Sequence, residues 1–195
     1  MKSLKCLLIF ITLISTSSVS SYAQEMMESD EGFMDVDSME NGGYGAPAFK
    51  MTRLNGTDAV LTGARGAWIM NHSFALGGAG YVLANNVDFP AYTQNLELAY
   101  GGLTLDYIYV PIDKVALTAG LLVGGGFFDF NDNLSGNDGI YVAEPEVSAQ
   151  YEFTKNFRTA ITASYRGVSG VDLPGMSNDK LSGFAYGVAL NFGTF

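Results

Sequence analysis

The chain has 195 residues, 20 acidic against 10 basic side chains, a formal net charge of −10 and 48% hydrophobic residues. That length suits one domain, and the acidic balance leaves no basic patch of the kind that binds nucleic acid. No apolar run reaches the ~18 residues that mark a membrane-spanning helix, yet 11 Tyr, 13 Phe and 24 Gly suit a β-barrel.

The amino-terminal stretch reads as a targeting segment. Lys2 and Lys5 make a basic start, Cys6 to Ile14 an apolar run, and Ser21-Tyr22-Ala23 a small-x-small cleavage signal. Residues 1–23 are therefore expected to be a secretory signal peptide. Cys6 precedes the apolar run, so it is not a lipidation site, and the exported chain has no cysteine for a disulfide or thiolate site. Residues 24–43 are acidic and aperiodic, with Glu25, Glu28, Asp30, Glu31, Asp35, Asp37 and Glu40. They read as a flexible leader.

From Tyr44 onward, eight strand-like segments follow, at 44–53, 58–71, 74–85, 96–110, 115–130, 139–154, 157–170 and 182–195. Most reach the ~9–11 residues that cross a bilayer at a tilt. Leu54-Asn55-Gly56-Thr57 is an Asn-Gly hairpin signal. Asn71-His72-Ser73, Pro111 to Lys114 and Thr154-Lys155-Asn156 are short turns. Between them lie longer polar connections, Asn85 to Asn95, Asp129 to Asp138 and Ser169 to Leu181. Short turns at one end and longer loops at the other are the pattern of a transmembrane barrel. The glycines at Gly77-Gly78 and Gly124 to Gly126 mark either bulges or close packing in a narrow lumen, and Pro145 marks a bulge.

The strongest pattern runs from Tyr141 to Arg166. Tyr141, Ala143, Val147, Ala149, Tyr151 and Phe153 alternate with Glu144, Glu146, Ser148, Gln150 and Glu152. After the turn, Phe157, Ile161, Ala163 and Tyr165 alternate with Arg158, Thr162, Ser164 and Arg166. Successive strand side chains point to opposite faces, so this is a hairpin with one aromatic face and one charged face. The same alternation gives Leu103, Leu105, Tyr107 and Tyr109 one face of the fourth strand, and Phe184, Tyr186, Val188, Leu190 and Phe192 one face of the last. A soluble lipocalin-like barrel would bury the apolar face. Aromatics at its ends, few lysines on the opposite face, the export signal and the terminal Phe195 favour lipid outside, although Phe195 is out of register with the apolar set at 184 to 192.

Several stretches carry a resemblance: GGYGAPAFK (42–50), LTGARGAWIMNHSFALGGAGYVL (61–83), LELAYGGLTLDYI (96–108), VAEPEV (142–147), ASYRGVSGVDL (163–173) and LSGFAYGVALNFGTF (181–195). In their order, the chain resembles the small outer-membrane β-barrel proteins of Gram-negative bacteria, in the OmpA-like/OmpX-like class. The resemblance implies an all-β, eight-stranded antiparallel up-and-down transmembrane barrel over 44–195, located in the cell outer membrane. It implies no catalytic residue. The expected role is non-enzymatic, structural or surface-interacting. The alternatives are a narrow channel, a membrane-embedded lipid-modifying enzyme, or the soluble ligand-binding barrel. Outer-membrane lipid and lipopolysaccharide are the expected surroundings, with the barrel-assembly machinery a partner during biogenesis. A monomer that uses no cofactor is expected.

The polar faces hold the candidate site. With Lys155 at the centre of the sixth turn, Glu152 faces Arg158 and Glu144 faces Arg166, with Glu146 on the same face; Arg65, Glu97 and Asp106 join from other strands. An eight-stranded barrel is just wide enough for side chains to fill, and charges inside it must pair because an unpaired buried charge is costly. The expectation is a lumenal charge network that plugs the barrel. His72-Ser73 lacks the geometry of a catalytic pair. The Asp129 to Asp138 loop is rich in oxygen ligands but is not an EF-hand, having Leu134 where glycine is required; it reads as a solvated outer loop. No phosphate-binding glycine loop is present, because the glycine clusters have no helix after them.

Overall fold

A computed structural model describes residues 41–87, 96–130, 138–172 and 177–195. The expected signal peptide, nearly all of the expected leader and residues 131–137 of the polar Asp129 to Asp138 loop lie outside the described residues.

Eight strands make a closed antiparallel barrel in which each pairs with its sequence neighbours and β1 with β8. They are β1 (Asn41–Leu54), β2 (Thr57–Met70), β3 (Phe74–Leu83), β4 (Leu96–Ile112), β5 (Val115–Phe130), β6 (Asp138–Thr154), β7 (Phe157–Ser169) and β8 (Gly183–Thr194). β1 begins at Asn41, inside the span expected to be leader. A four-residue helix, α1 (Asn178–Leu181), sits in the last long connection; it is too short to leave a periodic signal in the sequence. Among the described residues no helix is long and apolar enough to cross a membrane.

The first hairpin closes through Asn55 and Gly56 at φ 50° and 81°, the left-handed backbone of a type I′ turn. Pro145 does not bulge its strand. The β6–β7 ladder skips Glu144 and Pro145 but keeps one register, from Ala143 opposite Gly167 to Glu146 opposite Ser164. Proline has no N–H to give to the ladder, which accords with the gap at this position. The register shifts fall instead beside two short turns, between Tyr109 and Ile112 and between Glu152 and Thr154.

The outer wall is apolar. Phe49, Met51, Trp68, Leu103, Leu105, Tyr107, Tyr141, Val147, Tyr151, Phe153, Ile161, Phe184, Tyr186 and Phe192 are all exposed. A wall this greasy is the reverse of a solvated barrel exterior. The opposite side of each strand fills the lumen in layers. Toward the long-connection end, Leu54, Leu61, Tyr81, Val87, Leu98, Phe128, Val142 and Leu181 pack into an apolar cluster. Toward the short-turn end, Ile69, Ala75, Ile108 and Ala116 form a smaller cluster against Tyr44 and Phe195. Charged and polar side chains occupy the space between.

A charge network across the barrel lumen

Asp106 on β4, Arg65 on β2, Lys50 on β1 and Glu144 and Glu146 on β6 all point inward and form one connected chain. Arg65 Nη2 donates to Asp106 Oδ2 at 3.0 Å, and its Nη1 donates to Glu146 Oε1. Lys50 Nζ lies 3.5 Å from Glu146 Oε2 and 2.6 Å from Glu144 Oε1. Glu144 also accepts from Ser164 Oγ at 2.6 Å and from Tyr100 Oη at 2.9 Å. The chain thus ties β1, β2, β4, β6 and β7 together across the lumen. Glu144, Asp106 and Lys50 are 0%, 2% and 3% exposed, so each buried charge depends on its opposite partner; Glu144 has two further donors, whereas Asp106 Oδ1 has no hydrogen-bond partner. Nearer the short-turn end, Arg158 Nε and Nη2 donate to Glu152 Oε2 at 3.0 and 2.7 Å.

Four large lumenal side chains of this layer stand beside a glycine on an adjoining strand, whereas Arg65 lies between Ala46 and Ala79 and Glu144 faces Leu122. Lys50 pairs with Gly187, Tyr81 with Gly63, Tyr100 with Gly126 and Asp106 with Gly120. A Cβ on Gly187 would stand 3.0 Å from Lys50 Cγ, one on Gly63 2.8 Å from Tyr81 Cδ1, and one on Gly126 2.6 Å from Tyr100 Cβ. On Gly120 it would overlap Asp106 Oδ1. Of the two roles open to the Gly124 to Gly126 cluster, Gly126 takes close packing. A void of about 10 Å³ lies between Ala48, Lys50, Arg65, Tyr81, Thr162 and Gly187, at the lower limit for a single water.

The structure places the expected residues as follows. Arg65, Asp106, Glu144, Glu146, Glu152, Arg158 and Arg166 are inward, and Glu152 stands opposite Arg158 as the turn centred on Lys155 requires. Glu97 is outward and exposed between buried Leu96 and Leu98. It shares the odd-numbered, lipid-facing side of β4 with Leu103 and Leu105, so it does not enter the network. Nor does Glu144 pair with Arg166. Arg166 turns toward the long-connection end, where Nε donates to the Leu181 carbonyl at 2.9 Å and the guanidinium lies 5.5 Å from the Tyr100 ring centre. Lys50 takes its place at Glu144. Sequence reasoning missed Lys50, although Ala46, Ala48, Lys50 and Thr52 alternate with outward Phe49 and Met51 on β1. With Lys50 included, the inward charges balance among the described residues: Lys50, Arg65, Arg158 and Arg166 against Asp106, Glu144, Glu146 and Glu152.

His72 sits at an exposed turn tip with φ 55°, beside Asn71 at φ 50°. Among the described residues no group of His, Cys, Asp and Glu is arranged to hold a metal ion.

No protein-family model matches the chain, and no curated protein matches it in sequence. Solved structures do match in shape. The amino-terminal β-barrel domain of Pseudomonas aeruginosa OprF superposes with a TM-score of 0.58 at 13% identity, covering 80% of this chain and 98% of that one. The fold is that of the small eight-stranded outer-membrane barrels. Neisserial surface protein A matches with a TM-score of 0.56 at 10% identity, over 79% of this chain and 96% of its own. Ail, the attachment invasion locus protein of Yersinia pestis, matches with a TM-score of 0.54 at 10% identity, over 78% and 97%. Identities this low carry the architecture of such barrels and nothing about what each of them binds.

Proposed function

We propose that this chain is a non-enzymatic outer-membrane protein with a structural or surface-interaction role, whose lumen is plugged by its own side chains. The barrel spans the membrane with its long connections outward and its short turns in the periplasm, surrounded by outer-membrane lipid and lipopolysaccharide and inserted there by the barrel-assembly machinery. The observation that carries this reading is the connected Asp106–Arg65–Glu146–Lys50–Glu144 chain, which crosses the lumen beneath an apolar layer. A solute path needs a continuous wet passage, and the charged chain and the apolar cluster both lie across the lumen where one would run. The apolar outer wall supports the membrane setting, and the asymmetry of loop lengths supports the orientation.

The test is reconstitution into planar bilayers after confirming the folded, heat-modifiable form in detergent. The wild-type protein gives no stable single-channel current. Arg158→Ala lowers stability and still conducts near zero, because the central chain and the apolar layer remain. Large, stable wild-type currents overturn the plugged barrel, and a protein that stays soluble without detergent overturns the membrane setting.

A further inference from the structure

The last residue is on the wrong side of its strand for lipid. Phe184, Tyr186, Val188 and Phe192 face outward on β8, and Phe195 follows Phe192 by three positions, which turns it inward. Its ring stacks on Tyr44 of β1, with centroids 6.0 Å apart and 28° between planes. The Arg158 guanidinium, held by Glu152, lies 4.1 Å from the ring centre. The same ring packs against the cluster formed by Ile69, Ala75, Ile108 and Ala116. One side chain entering from β8 therefore meets the walls contributed by β1 to β5 and by β7.

The backbone behind it is fixed. Gly193 N donates to the Asn156 carbonyl at 3.0 Å, and Asn156 Nδ2 donates back to the Gly193 carbonyl at 2.9 Å. Gly193 itself has to be glycine, because a Cβ there would run into the Gly43 carbonyl and stand 2.6 Å from Tyr44 Cα. That close approach of β8 to β1 lets the next two residues bring the terminal ring over the lumen.

We propose that Phe195 is a stopper that seals the short-turn mouth of the barrel, so that the charged layer is closed on that side by the Phe195 ring and on the other by the apolar cluster. This rests on the plugged-barrel reading and adds which residue closes which end. An aromatic ring suits such a seal because it covers a large area with few rotatable bonds, and Tyr44 and Arg158 together hold its position.

The test uses the full chain with Cys6→Ser, so that a cysteine introduced by Ala116→Cys, in the cluster beneath the ring, is the sole thiol. The protein is reconstituted in lipid vesicles, its folding is confirmed by heat-modifiable mobility, and labelling by a charged, membrane-impermeant methanethiosulfonate is timed. With native Phe195 the thiol labels slowly. Adding Phe195→Ala speeds labelling by about tenfold or more, the order set by losing one aromatic pair and one cation–π contact. Phe195→Leu keeps most of the protection, and Phe192→Ala, on the outer wall, leaves the rate unchanged. Fast labelling with native Phe195, or equal rates with and without the Phe195→Ala substitution, overturns the stopper. Where Phe195→Ala fails to fold, the rate in the otherwise native chain and in Phe195→Leu decides. Fast labelling of a barrel that does not conduct defeats the stopper alone, whereas large wild-type currents defeat the plugged barrel.

Discussion

Replacing Lys50 by methionine tests the lumenal network at its most connected cation. The substitution keeps an unbranched apolar stem beside Gly187 and removes the ammonium 2.6 Å from Glu144 Oε1 and 3.5 Å from Glu146 Oε2. Glu146 retains Arg65, but Glu144 is left with only the neutral donors Ser164 and Tyr100 around a carboxylate that is 0% exposed. Breaking a buried pair from one side costs about 3–5 kcal/mol, mostly the penalty of the stranded charge. Against a total stability of roughly 5–15 kcal/mol, that is a large share. The second half of the test removes the stranded charge. Lys50→Met with Glu144→Gln leaves an acceptor for Ser164 and no unpaired carboxylate, so the double variant recovers most of the loss, with a coupling energy of about 1–3 kcal/mol. The assay is equilibrium urea unfolding in lipid vesicles, read by tryptophan fluorescence from Trp68 and by gel mobility. The exposed Arg53–Asp58 pair, with side chains 77% and 82% exposed, is the internal control; Arg53→Ala costs less than about 1 kcal/mol. A Lys50→Met cost no larger than the control, or a double variant whose cost equals the sum of the singles, refutes the argument that the network holds the lumen together.

Two further outcomes test the two faces of the wall. Gly120→Ala forces a methyl group into the Asp106 carboxylate and destabilises the barrel by about 1–3 kcal/mol in the same unfolding assay, with Asp106→Ala in the same chain relieving part of the clash. Val147→Arg places a cation on the exposed face at the middle of β6 and costs about 2–4 kcal/mol in a bilayer; if folding into vesicles is unaffected, that face does not meet lipid.

Strand positions were legible because alternation is a local signal. β5 runs from Val115 to Phe130 as expected, and the other boundaries shift by no more than a few residues. The Asn-Gly and Lys155 turns set their registers from the sequence alone. Two errors at the site have different origins. Glu97 was recoverable from parity, since it is an even number of residues from Leu103 and Leu105. The Glu144–Arg166 pairing was a reasonable inference from register that failed for a geometrical reason. Register names the neighbour along the wall, whereas a lumenal side chain also reaches across the barrel, and the partners found there are 94 residues apart for Lys50 and Glu144 and 81 for Arg65 and Glu146. A strand pattern contains no information about such chords. The contacts of α1 were equally hidden, because a single turn of helix has no period; it is Leu181, buried beneath the last loop, and its carbonyl that give Arg166 a reason to turn away.

What links the wall to several of the chords is a glycine beside the large lumenal residue. In a narrow barrel, bulky inward side chains on adjoining strands compete for volume; Tyr81 and Tyr100 do face each other between β3 and β4, and each has a glycine on its other side. Lys50, Tyr81, Tyr100 and Asp106 each face a glycine across one ladder. That vacancy lets the side chain lie over its neighbour and extend toward the far wall, where Lys50 reaches Glu144 and Tyr100 reaches the same carboxylate from another strand. The glycines weaken their own strands, since each gives up backbone entropy and a packing side chain, and they do so where a cross-lumen contact takes the place of the missing neighbour. Polar residues at alternate positions therefore make a barrel interior, and the glycines opposite four of the large ones give those side chains room to lie over the wall. Gly187, set among the alternating aromatics of β8, marks the wall position over which Lys50 passes.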